Sequence, residues 1–240
     1  MKLLGIETST EAMSLAVQHG DAVFTHTSAG GALASSTLLP AIEALMSQAD
    51  LTYAQLDAIV FGRGPGSFTG LRTACSVVQG LALGANVSVL PVDTLMAVAQ
   101  EALLQMSESK HTTLHTHILA ALDARMGEVY AESYEFNSAL VSIYKGDLLK
   151  TPEKLLENLH PLPTLLAGNL RPALDTKLPQ AIRDLPHLLC LPTARALLHL
   201  APALIAAGSL VEAQDALPLY IRDKVALTTA EREAHNRATP

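Results

Sequence analysis

A chain of 240 residues that is 49% hydrophobic is long enough for one large domain or two small ones with real cores. Its net charge of −7, with no Lys/Arg cluster to offset it, excludes a tight direct grip on a phosphate backbone. Charged residues make up only 16% and aromatics 4%, so the core must be aliphatic and alanine-rich, and some apolar surface is expected to lie under a partner. In chain order, residues 3–6, 13–18 and 22–27 read as three short strands, with a tight turn at 19–21. Residues 28–36 are small and glycine-containing and read as a mobile loop. Leu38, Leu39, Ile42, Leu45, Met46 and Ala49 fall at helical spacing, with Ala41 and Ala44 on the opposite side. Thr52 and Gln55 fit a capping box. The apolar run 56–61 predicts a buried strand. Residues 61–72 form a glycine-rich connection, Phe-Gly-Arg-Gly-Pro-Gly-Ser-Phe-Thr-Gly-Leu-Arg, in which Ser67 or Thr69 can cap the helix read over 73–84. Thr73, Ser76, Gly80 and Gly84 line one side of that helix, which predicts close packing there. A strand at 87–92 and a helix from Thr94 to about Met106, capped by Asp93, complete the first part.

A polar stretch at 106–117 marks a boundary, which divides the chain into 1–107 and 108–240. The order then starts again. Strands are expected at 118–123, 129–136 and 140–144, and a helix is expected after Thr151-Pro152. Strands follow at 164–167 and 187–191. A last helix capped by Thr193 should kink at Pro202, and a polar tail begins at Arg222. Each part opens on a strand that delivers an acid to a turn, Glu7-Thr8-Ser9 in one and Asp123-Ala124-Arg125 in the other. The repetition is of topology rather than of residues, and it points to the two-lobed arrangement of actin and the sugar kinases, with a ligand cleft between lobes.

The motifs exclude several chemistries. The 61–72 connection has no P-loop lysine and fails the dinucleotide glycine spacing, and it lacks the G-x-S-x-G spacing of a serine hydrolase. Glu7, Thr8, Ser9, Arg63, Gly64, Gly66, Ser67, Thr69 and Arg72 remain as candidate anion or nucleotide contacts, because a glycine loop before a helix N-terminus favours negative charge. The alternative for Arg63, Arg72 and Arg125 is a salt bridge to Glu7, Glu11, Asp57 or Glu128. His111 and His115 have metal-ligand spacing without a natural third ligand. Cys75 and Cys190 read as small buried hydrophobes. Glu7 comes too early for a signal sequence, and no apolar run is of membrane-spanning length, so a cytoplasmic protein without membrane contact is expected.

The stretch 61–72, with Gln-Gly-Leu-Ala-Leu-Gly at 79–84, resembles the bacterial TsaB (YeaZ) family of tRNA threonylcarbamoyladenosine biosynthesis proteins. Gly-Ile-Glu-Thr-Ser-Thr-Glu at 5–11, Leu-Asp-Ala-Arg-Met-Gly-Glu-Val-Tyr at 122–130 and Pro-Leu-Tyr-Ile-Arg at 218–222 agree in order. The resemblance implies an α/β, actin-like (ASKHA) fold of two RNase H-like lobes, each a mixed sheet flanked by helices. It implies a non-catalytic subunit without a cofactor of its own. Such a subunit binds the paralogue TsaD, which transfers the threonylcarbamoyl group to N6 of adenosine 37 in tRNA, and it joins the ATPase TsaE; ATP and a metal ion belong to those partners, and tRNA is reached mainly through the complex. Pairing with TsaD, or with a second copy, would use the first-lobe helices near 36–49 and 69–84, which places Ala41, Ala44, Thr73, Ser76, Val77 and Gly80 at the interface. The chain lacks the histidine that the family often carries near 33–36, and 145–190 bears no family signature. The rival expectation is an autonomous ATPase or kinase-like enzyme using Glu7, Thr8–Thr10 and Asp123.

Overall fold

The computed structural model describes residues 1–31, 34–109, 117–136, 140–142, 148–157, 159, 161–170 and 174–222. The first sheet consists of β1 (Lys2–Glu7), β2 (Ala12–His19), β3 (Ala22–Ala29), β4 (Ala58–Gly64) and β5 (Val89–Asp93); β1, β2 and β4 are almost continuously buried, and only the edge strand β3 alternates. Its order is β3-β2-β1-β4-β5. The β1–β2 and β2–β3 pairs are antiparallel, and the β1–β4 and β4–β5 pairs are parallel. The second sheet repeats this plan with β6 (His117–Asp123), β7 (Val129–Phe136), β8 (Leu140–Ser142), β10 (Leu165–Ala167) and β11 (His187–Leu188). Its order is β11-β10-β6-β7-β8, and a short β9 (Leu149–Lys150) also pairs with β7. Two antiparallel joins followed by two parallel ones occur in both sheets, so the fold is the two-lobed actin-like arrangement.

Helices α1 (Ala34–Gln48) and α2 (Phe68–Ala85) cover one face of the first sheet. Leu38, Ile42, Leu45 and Met46 of α1 meet Ala74, Cys75, Val78 and Ala82 of α2 over Leu4, Ile6 and Phe61. Helices α3 (Thr94–Glu108) and α4 (Ala194–Ala206) lie between the sheets. Here the division at 107/108 departs from the packing. The stripe Leu95, Val98, Ala99 and Ala102 of α3 faces the second sheet, through Ile118, Ala120, Leu122 and Leu165. The stripe Ala194, Leu197, Leu198 and Ala201 of α4 faces the first sheet, through Leu3, Ala58, Val60 and Leu90. Each helix covers the sheet from the other half of the chain. Gly5 makes room for this, since a side chain there would press on the Ala194 carbonyl and on Leu198. Buried Glu101 of α3 joins the two helices: it accepts from Gln105 (3.0 Å), from Thr193 Oγ1 (2.5 Å) and from Arg195 Nη2 (2.7 Å).

Several local expectations change. Strand β4 does not stop at Phe61 but continues to Gly64, because Gly62 pairs with Val92 and Gly64 with Asp93. Helix α2 starts at Phe68 rather than 73, and Ser67 is its cap, accepting from the Gly70 N–H at 3.4 Å. The connection proper is therefore only Pro65-Gly66-Ser67. Asp93 precedes α3 but gives it no side-chain cap, because its carboxylate accepts from Arg63 instead. The helix expected after Thr151 is a 3-10 turn at Pro152–Lys154. Helix α4 runs through Pro202 to Ala206, with Thr193 accepting from the Ala196 N–H. Both cysteines are buried, and burial pushes the thiols up to about 11 (Cys75) and about 12 (Cys190).

Glycine acts in two different ways along α2. A methyl at Gly70 would collide with the Thr8 carbonyl, whereas one at Gly80 meets nothing within 4 Å. Gly70→Ala should therefore destabilise by about 1–3 kcal/mol through overpacking. Gly80→Ala should stabilise by about 0.5–1 kcal/mol through helix propensity. Urea denaturation of both variants checks the opposite signs.

Candidate functional site

Two carboxyl-end turns of the first sheet, those after β1 and β4, meet at one point. After β1, the chain turns at Glu7-Thr8-Ser9, directly beside β4 and the start of α2. Gly62, Gly66 and Gly70 all face this turn: a methyl at Gly62 would strike the Glu7 carboxyl, one at Gly66 the Ser9 backbone and Cβ, and one at Gly70 the Thr8 carbonyl. Hydrogen bonds close the contact. The Ser67 N–H donates to the Ser9 carbonyl (2.7 Å), and Thr8 Oγ1 donates to the Gly70 carbonyl (2.8 Å). Thr8 and Ser9 are buried, and the Thr8 hydroxyl is engaged internally. The structure thus brings Glu7, Thr8, Ser9, Gly66 and Ser67 together, and it uses them chiefly on one another.

Glu7 is fully buried. Its Oε1 accepts from the Ser9 N–H at 2.6 Å, while Oε2 has no hydrogen-bond partner. Burial outweighs the hydrogen bonds from Ser9 and raises the carboxyl above its ordinary value. The other expected anion contacts are occupied by neighbours. Arg63 Nε donates to Asp93 Oδ1 at 2.6 Å, and Arg125 pairs with Asp123 at 3.3 Å. Neither arginine uses the carboxylates proposed from the sequence; Glu128 pairs with Arg222 and Asp57 accepts from the Lys2 N–H. Gly64 has φ +120°, and a methyl there would press on the Leu219 carbonyl at 2.7 Å. Thr69 is exposed, and its carbonyl accepts from Thr73 Oγ1.

Between the sheets lies a cleft of about 430 Å³, lined by Ser9, Glu11, Phe68, Asp123, Asn169 and Tyr220 among others. Asn169 spans it, with Oδ1 accepting from the Asp123 N–H and Nδ2 donating to Glu11 at 3.5 Å. One wall is a strap that no sequence spacing points to. It leaves the first sheet at the Val89–Val211 bridge, accepts from Gln79 Nε2 at the Ala216 carbonyl, and pairs Leu219 N–H with the Arg63 carbonyl. It reaches the second sheet where Arg222 meets Glu128. The turn it grips holds Arg125 and Met126 at positive φ (64° and 56°), a conformation uncommon for residues other than glycine.

Helix α2 presents a second surface. Thr69, Arg72, Ser76, Gly80 and Leu83 lie within about a third of the helix circumference at 3.6 residues per turn, and all are exposed. Leu83 is 78% exposed. Beside Gly80 and Gly84 a shallow groove is lined by Tyr53, Ala54, Leu81 and Ala85. Among the residues expected at an interface, Ala44, Ser76 and Gly80 are exposed and Thr73 is half-buried, while Ala41 and Val77 are half-buried against the core between α1 and α2. Among the described residues no group of three or more His, Cys, Asp and Glu is placed to hold a metal ion, and His111 and His115 lie outside them. No described helix is long and apolar enough to cross a membrane.

These features have known counterparts. The tRNA threonylcarbamoyladenosine biosynthesis protein TsaB of Escherichia coli is 34% identical over 235 residues, covering 94% of this chain and 96% of that protein. The chain belongs to the TsaB (YeaZ) family. The TsaB protein of Haemophilus influenzae is 38% identical over 130 residues, covering 54% of this chain and 52% of that protein. The structure of YeaZ from Pseudomonas aeruginosa superposes with a TM-score of 0.80 at 35% identity, covering 91% of this chain and 99% of that one. The family described as TsaD, tRNA N6-adenosine threonylcarbamoyltransferase, also matches residues 31–227 of this chain.

The buried acid makes a pH prediction. Unfolded Glu7 ionises near its ordinary value of 4.5, whereas the folded group keeps its proton to higher pH. Above 4.5 the unfolded chain therefore binds fewer protons, and this group's contribution to stability, fully present below that value, is lost as pH rises through the folded pKa. Glu7→Gln should be the more stable protein at about pH 8 and should lose that advantage towards about pH 4, as read from denaturant midpoints across the range.

Proposed function

We propose that this chain is a non-catalytic activator subunit that docks on a TsaD-type transferase and supports threonylcarbamoylation of adenosine 37 in tRNA. The open face of α2 carries this reading. An 18-residue helix that is packed on one side leaves small residues and an isolated Leu83 uncovered on the other, where a partner helix could approach closely. The family membership supports the pathway, since its members are named for threonylcarbamoyladenosine biosynthesis. The engagement of Thr8, Arg63 and Arg125 within the chain supports an accessory role over phosphate chemistry of its own. In this reading the chain requires no cofactor, ATP and a metal ion belong to TsaD and the ATPase TsaE, and tRNA is held mainly by the complex. In the absence of TsaD the same face pairs two copies. The setting is the cytoplasm, where tRNA is modified.

Reconstitution tests the proposal. Purified chain should bind TsaD and raise threonylcarbamoyladenosine formation by TsaD with TsaE; no binding and no stimulation would overturn it. Gly80→Glu places a charged side chain in the open face and should weaken association at least about tenfold while leaving the unfolding midpoint close to wild type. Unchanged association would put the interface elsewhere. Tight ATP binding and turnover by the isolated chain would favour an autonomous enzyme instead.

A further inference from the structure

The first turn of α2 carries an exposed cluster built from two distant parts of the chain. The Arg72 guanidinium carbon lies 3.8 Å from the centroid of the Phe68 ring and 5.8 Å from that of Tyr220. The two rings stand 5.3 Å apart at 33°. Arg72 Nε donates to Tyr220 Oη at 2.8 Å. Despite these contacts the cluster is not buried: Phe68 is 38% and Tyr220 44% exposed. Among the described residues no carboxylate pairs with Arg72, in a chain where Arg63, Arg125, Arg195 and Arg222 each have one. Stacking and the single Nε bond hold the guanidinium in place and leave its two terminal nitrogens as a planar fork. That geometry matches a carboxylate bidentately, and little side-chain entropy remains to be lost on binding.

We infer that Arg72, held by Phe68 and Tyr220, is the specificity anchor of the α2 docking face and takes an Asp or Glu side chain of the protein partner. The inference rests on the docking reading proposed above. Arg72 lies on the same helix face as Ser76, Gly80 and Leu83, so one surface offers a close-packing stripe and a charged anchor at its end. Exposed Arg and Tyr beside apolar neighbours are the residue types that dominate binding energy at protein interfaces. A single carboxylate is favoured over a nucleic-acid backbone. Glu11 lines the cleft that Phe68 and Tyr220 border and has no ion pair among the described residues, and in a chain of net charge −7 it opposes a run of phosphates.

The test is binding to purified TsaD by calorimetry, with the full chain and its variants, at about 50 and about 500 mM salt. Arg72→Ala should raise Kd about tenfold and flatten the salt dependence, because the anchored charge pair is lost. Arg72→Lys should recover only part of the affinity, since it keeps the charge but not the fork. Tyr220→Phe keeps the ring and removes the acceptor for Nε; it should weaken binding by a smaller factor with the fold intact, which covers the case in which Arg72→Ala is unstable. Gly80→Glu separates the two readings. If Gly80→Glu abolishes binding while the Arg72 and Tyr220 variants bind as wild type with unchanged salt dependence, docking on α2 stands and the anchor is overturned. If all of them bind as wild type, the docking reading falls and the anchor with it. If Arg72→Ala alters only self-association in sedimentation, the occupant is a second copy and the inference is wrong.

Discussion

The close approach of the β1 exit turn to the start of α2 is the constraint on which the rest of the first lobe depends. Three side chains are absent where they would collide, at Gly62, Gly66 and Gly70, and two hydrogen bonds then join Ser67 to Ser9 and Thr8 to Gly70. This contact sets where α2 begins and therefore which residues it turns outward. It also fixes Phe68 and Arg72 at the edge of the cleft, within reach of a strap that arrives from the far end of the chain. A bulkier residue at Gly66 or Gly70 would press on the Ser9 or Thr8 backbone and displace the start of the helix, because packed interiors transmit displacement rather than absorb it.

Electrostatics follow the same internal logic. The cleft between the sheets resembles a ligand site in position, but most of its charges are paired at short range, Arg125 with Asp123 and Arg222 with Glu128. The buried Glu7 carboxyl has only one satisfied oxygen and is held towards its neutral form by burial. Between the lobes, Glu101 has three donors, so its charge is accommodated by a network rather than by solvent. On α2 and the strap, by contrast, Arg72 and Tyr220 face outward.

The first sheet and its helices were legible in the sequence because short apolar runs bounded by turn residues and a 3.6-residue stripe leave a strong local record, as in Leu38, Ile42, Leu45 and Met46. The connection at 61–72 was legible as a special place but not in its function. Its glycines look like a loop signature, yet Gly62 and Gly64 sit in a strand and Gly70 in a helix; what excludes a side chain at Gly62 and Gly70 is the Glu7-Thr8 turn far earlier in the chain, and at Gly64 it is Leu219 far later. The second lobe was harder to read because β9 and β11 are two residues long and owe their existence to neighbours far away in sequence. Arg72–Tyr220 shows the same limit at the site: a contact across 148 residues has no local spacing to betray it, and only the family-like Pro-Leu-Tyr-Ile-Arg run marks that segment as special.

The crossed placement of α3 and α4 bears on how the molecule can be made and unmade. A fragment ending near residue 107 would lose the helix that covers Leu3, Val60 and Leu90, and the remainder would lose the helix that covers Ile118 and Leu165. Neither half can keep its apolar interior dry alone, so the two lobes should melt as one cooperative unit rather than in sequence. The same interlock implies that, during synthesis on the ribosome, the first sheet waits until Ala194–Ala206 has emerged, with its inner face exposed to chaperones in the meantime.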